Sequence, residues 1–118
     1  MTRHTFHLCP SEVWATAAAA FADGHAYEAA SLATEGFIHC TDGVAELGAT
    51  FDRYYATDPR TFVALTVDLD AVGVPWRYDV PDSPYPHIYG AIAPAAIVTV
   101  QSVERTAAGT FDHLGDVV

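Results

Sequence analysis

Residues 62–69 carry apolar side chains on both alternating faces, with Phe62 and Ala64 on one and Val63, Leu65, Val67 and Leu69 on the other. A strand buries both faces only when it has neighbours on each side and layers above and below. The rest of the chain must therefore supply a sheet around this segment and cover on both sides of it.

The flanking sequence supplies both. Residues 5–8 alternate as a short strand, with Thr5 and His7 on one face and Phe6 and Leu8 on the other. Ser11 is placed to cap a helix with Glu12 in its first turn. Its stripe is Val13, Trp14, Ala17, Ala18 and Phe21, and Asp23-Gly24 ends it. Residues 28–35 read as a helical turn closed by Gly36. A brief strand follows over 37–41, and Thr41 is placed to cap a helix over 42–56 with the stripe Val44, Leu47, Phe51, Tyr54 and Tyr55. Residues 76–80 alternate as a half-exposed strand. Pro81, Pro84 and Pro86 stiffen the loop after it. Further strands are predicted over 87–92 and 95–103, with one more edge strand in the tail from Glu104. Helices come early and strands late, which is an α+β arrangement with a mostly antiparallel sheet and two packed helices. The 118 residues suit a single domain over 1–118.

The charge balance narrows the partners. Net charge is −10, with five arginines and no lysine. Five scattered cations assemble no basic patch, so neither a nucleic-acid backbone nor an anionic membrane is an expected partner. No apolar run approaches the ~20 residues a membrane span needs, and a cytoplasmic location is expected. Cys9 and Cys40 are expected to be free thiols.

Two short motifs carry the chemistry: Gly36-Phe37-Ile38-His39-Cys40-Thr41 and Tyr85-Pro86-His87-Ile88-Tyr89-Gly90. With His7 they place three imidazoles in strands of apolar character, where an unpartnered ring is costly. Singly, each is explained by a hydrogen bond to a main-chain carbonyl. Together they point to a shared cleft, with His39 and His87 as candidate catalytic groups. His7, Thr41, Tyr89 and Gly90 are candidates for holding a ligand, Gly90 because a strand glycine marks close approach of a backbone or a ligand. Zinc held by His7, Cys9, His39, Cys40 and His87 is an alternative without metal-site spacing, so no metal is expected. Cys40 as a nucleophile conflicts with its predicted burial opposite His39. His4, His25 and His113 read as solvated. Asp68, Asp70, Asp79 and Asp82 fall where aspartate commonly satisfies backbone donors.

These residues, with Phe6-His7-Leu8-Cys9, Trp14, Tyr27, Ser31-Leu32 and Glu35, resemble the bacterial domain of unknown function 952 family along nearly the whole chain. That family in turn resembles the ADP-ribosyltransferase-like fold group, including RNA 2′-phosphotransferases. The resemblance implies a split antiparallel sheet whose cleft holds NAD or a related nucleotide, with cleavage or transfer at the ribosyl C–N bond. It implies that His7, in a variant of the H-x-T motif with Cys9 in place of threonine, holds a ribose hydroxyl. It places His39 and His87 near the scissile bond or a phosphate, and Tyr89 against the ligand. The glutamate many such transferases keep on a later strand is absent, with Glu104 the only nearby substitute. The alternatives are a non-catalytic ligand-binding or interaction module and a metal-dependent enzyme using His and Cys ligands.

Overall fold

A computed structural model describes residues 3–118. Among these residues seven strands form two antiparallel sheets. The larger contains β1 (His4–Pro10), β3 (Phe62–Asp68), β6 (Ile97–Arg105) and β7 (Phe111–Val117), in the order β1-β3-β6-β7. The smaller contains β2 (Ile38–His39), β4 (Trp76–Arg77) and β5 (His87–Ile88), in the order β2-β5-β4. The helices are α1 (Ser11–Ala20), α2 (Ala30–Glu35) and α3 (Val44–Tyr55). Among the described residues no helix is long and apolar enough to cross a membrane.

As its two apolar faces require, β3 lies between β1 and β6 and separates two cores. On one side Val63, Leu65 and Val67 meet Tyr27, Ile38, Ile88 and Ile92, with Trp14 and Ala17 of α1 packed against them. On the other, Phe62 and Ala64 meet Leu47 and Phe51 of α3, with Leu8 and Val103. The smaller sheet therefore covers one face of the larger through Ile38 and Ile88, and α3 covers the opposite face.

Several predicted boundaries shift for identifiable reasons. Three helices form instead of two, because the turn expected over 28–35 closes into α2. Gly36 ends it with φ 86°, a conformation that costs glycine little. Ser11 and Thr41 are not helix caps. Ser11 is the first helical residue after Pro10, and α3 begins after Gly43 with no side-chain cap. Both strands flanking the proline loop are shorter than expected. The segment Pro84-Tyr85-Pro86 does run beside β2, where the carbonyls of Pro84 and Pro86 accept from the amides of Asp42 and Cys40 at 2.7 and 3.1 Å. Proline has no N–H to return, so the ladder there is one-sided and β5 begins at His87; the shortening lies at its other end, where pairing stops after Ile88.

The two sheets touch along β1 at one bridge, where Phe6 and Thr41 exchange main-chain hydrogen bonds of 2.9 and 2.8 Å. Among the described residues no further ladder pair joins β1 to β2.

Candidate functional site

A cleft of about 800 Å³ lies between β1, α2, β2, α3 and the 85–87 segment. Its lining includes His7, Leu8, His39, Thr41 and His87, so the three imidazoles predicted from sequence border one hollow. The size is ordinary for a small-molecule site.

The three histidines differ sharply in environment. His7 is buried at 7% exposure because odd-numbered residues of β1 face the first core. Its Nδ1 lies 2.7 Å from the carbonyl oxygen of His39, and its Nε2 lies 2.8 Å from the Tyr27 hydroxyl. A carbonyl can only accept, so Nδ1 carries the proton and Tyr27 donates to Nε2. Burial pushes His7 down to about 4, keeping the ring neutral, and pushes the Tyr27 phenol well above its ordinary range. Both nitrogens of His7 are thus spent inside the protein. The ring thereby joins β1 to β2 beside the bridge, with no ring nitrogen left over for the ribose hydroxyl expected of it.

His39 is not buried; its side chain is 53% exposed, opposite the buried Ile38. His87 is 18% exposed. The two rings meet edge-on with centroids 5.4 Å apart, and Phe37 stacks on His87 at 4.0 Å. Each ring has its own carboxylate. Nε2 of His39 donates to Glu35 at 2.9 Å, and Nδ1 of His87 donates to Asp79 at 2.7 Å. In the neutral rings this leaves the lone pairs of His39 Nδ1 and His87 Nε2 as the available bases. A pair of carboxylate-oriented imidazoles can accept a proton from one group and deliver one to another.

Asp79 ties this corner together. Besides His87 it accepts from the Tyr89 hydroxyl and from Arg77 Nε at 2.7 Å, and the Arg77 guanidinium lies 4.0 Å above the Tyr89 ring. The donors, Tyr89 foremost, hold its carboxyl well below the usual range. Tyr89, predicted to contact the ligand, therefore spends its hydroxyl on Asp79. The close approach predicted at Gly90 is with a side chain, since a Cβ there would sit 2.7 Å from Val74. Thr41 is buried, with its hydroxyl 3.3 Å from that of Thr50 on α3, and lines the cleft.

Sequence reasoning passed over Glu35 and Asp79 as partners of the imidazoles. Glu35 stands four residues before His39, a spacing that signals a pair on a continuous helix, but Gly36 and the start of β2 intervene. Asp79 has no periodic relation to His87. The β4–β5 register, which sets Arg77 opposite His87, brings it near. Asp68 does satisfy a backbone donor, the amide of Asp70 at 2.9 Å. Cys9 and Cys40 are free and buried, and burial raises both thiols above their ordinary range. No three His, Cys, Asp or Glu side chains among the described residues converge to hold a metal ion.

Residues 8–100 match the family described as protein of unknown function (DUF952). No curated protein matches the chain. The fold is similar to two crystal structures of protein CC0527 from Caulobacter crescentus. One, of a double mutant, gives a TM-score of 0.72 at 18% identity. The other gives 0.70 at 19% identity. In both, 93% of this chain and 94% of that chain are covered, which at such identity establishes a shared fold.

Proposed function

The chain belongs to the DUF952 family, and on that footing we propose that its cleft binds NAD or a related nucleotide and cleaves or transfers at the ribosyl C–N bond, as ADP-ribosyltransferase-like proteins do. The observation that carries this reading is the split beside β1, where an unpaired strand edge and the imidazoles of His39 and His87 border one hollow. At the two ends of β1 the odd residues Arg3 and Ser11 bond to Leu69 and Thr61, which flank β3, while Phe6 within β1 bonds the other way to Thr41. By the same alternation the N–H and C=O of Leu8 point into the split. A primary carboxamide such as that of nicotinamide carries the complementary acceptor and donor and can occupy the place of a missing strand.

The remaining groups suit the bond to be broken. When the C–N bond breaks, its electron pair leaves with the nicotinamide nitrogen, which passes from cationic to neutral. Positive charge develops on the ribosyl carbon. Glu35, which lines the cleft, supplies a carboxylate that stabilises such a state, in place of the glutamate missing from the later strand. Water or an acceptor hydroxyl attacks that carbon and gives up a proton, which His87 Nε2 or His39 Nδ1 takes. Asp79 keeps His87 in the tautomer this needs.

Calorimetry with millimolar NAD, alongside an assay for released nicotinamide, tests the reading. Heat of binding and nicotinamide release are expected for the wild type, with release lost in His87→Ala and in Glu35→Gln. Absence of heat, or binding and release unchanged in His87→Ala, overturns it. Binding without release leaves the non-catalytic ligand-binding module in its place.

A further inference from the structure

Two arginines, Arg53 and Arg60, line the cleft. They are not equivalent. Arg60 is neutralised by Asp58, to which its Nε and Nη2 donate over 2.7–3.2 Å. The arginines elsewhere are also committed. Arg77 bonds Asp79, and Arg105 donates to four main-chain carbonyls. Arg3 donates to the Tyr78 hydroxyl, which donates in turn to Asp42. Arg53 has neither a carboxylate nor a carbonyl acceptor among the described residues. Its guanidinium lies 5.7 Å from the Tyr54 ring centroid and beside the Tyr85 hydroxyl, which is itself 3.5 Å from Glu46.

In a chain of net charge −10 an uncompensated guanidinium facing a cleft is conspicuous. Cation–π contact with the Tyr54 ring uses the face of the guanidinium; the tyrosine hydroxyls engage some of its in-plane donors and leave the others to a ligand. Thr50, one turn earlier on α3 and also in the cleft, is hydrogen-bonded to the Thr41 hydroxyl and has a further lone pair or donor to offer. A guanidinium with a neighbouring hydroxyl matches the tetrahedral oxygens of a phosphate better than any neutral group does.

We infer that Arg53, with Thr50 beside it, is the phosphate-binding corner of the cleft, so that its ligand is a phosphorylated nucleoside and not a free one. The inference rests on the nucleotide reading for the nucleoside part alone. The phosphate contact stands on Arg53.

The full chain is titrated with inorganic pyrophosphate, ADP-ribose and adenosine, followed by calorimetry and by the ¹⁵N signals of its five arginine side chains. Pyrophosphate and ADP-ribose are expected to bind and to move the Arg53 signal, and adenosine to leave it in place. Arg53→Gln is expected to weaken both phosphate ligands by about tenfold or more. Arg60→Gln, whose charge is already paired, is expected to change them by less than about twofold. Failure of both phosphate probes to bind the folded protein at millimolar concentration overturns the inference, as does Arg53→Gln binding them like the wild type. Pyrophosphate binding as tightly as both ADP-ribose and NAD, with the Arg53 dependence intact, supports the phosphate corner while removing the nucleotide reading. NAD binding that Arg53→Gln leaves unchanged removes the phosphate corner and keeps the nucleotide.

Discussion

His7 shows how a single buried ring makes stability depend on pH. Folded, it titrates at about 4; unfolded, at its ordinary 6.5. Above pH 6.5 both states hold it neutral, and its contribution is complete. Between 6.5 and 4 only the unfolded chain takes the proton, so stability falls as pH falls. Below 4 both states are protonated and the loss is complete, at about 3 kcal/mol in total. Asp58, held down at about 2 from an ordinary 3.8 by Arg60, titrates below that window. Urea unfolding at intervals from pH 7 to 4.5 is expected to show this decline in the wild type. His7→Gln, which keeps an amide donor for the His39 carbonyl, is expected to flatten it. An equal decline in both proteins contradicts the assignment. The residue pattern reveals that His7 needs a partner, because an imidazole alternates there with apolar neighbours. It does not reveal Tyr27, which lies twenty residues away in a loop held by paired hydrogen bonds to Ile92.

Among the elements, the C-terminal end of α3 depends on a side chain far along the sequence. Arg105, in β6, donates to the carbonyls of Tyr55 and Ala56 at 3.2 and 3.0 Å, and to those of Arg60 and Gly109 at 2.9 and 3.0 Å. It thus satisfies groups that the end of a helix leaves open and fastens α3 to the larger sheet. Its guanidinium also lies 5.0 Å from the Phe51 ring centroid. Arg105→Met, which keeps the apolar stem, is expected to lose about 2–3 kcal/mol in urea unfolding. Arg105→Lys is expected to recover less than half, since one ammonium cannot reach four acceptors. Full stability in Arg105→Met rules out this role. The elements most legible in the sequence were those whose apolar pattern is complete: β3 with two buried faces, and α3 with Leu47 and Phe51 on one stripe. The caps were misplaced because Ser11 and Thr41 have the right side chains, but Pro10 and Gly43 set the backbone turns into α1 and α3. The strands expected over 76–80 and 87–92 are longer than the observed ones because alternation runs on past Arg77 and Ile88, where the ladder between them ends.

For the whole molecule, net charge −10 means that folding gathers like charges into a small volume. Raising ionic strength from about 0.01 to 0.15 M shortens the screening length from about 30 to 8 Å. The melting temperature is therefore expected to rise across that range by calorimetry, and a fall would show that the ion pairs outweigh the repulsion. The α+β class was readable from helices placed early and strands late. The assembly of His39, Glu35, His87 and Asp79 was readable only in part. Both histidine motifs stood out locally, whereas their carboxylates are brought in by a helix end and by a strand register that no local pattern encodes. Along β1 the two layers share a lone rung, Phe6 with Thr41, reinforced by the side chain of His7. The ladders within each layer run without it, so the rim of the cleft and the body of the fold are built from separate sets of main-chain hydrogen bonds.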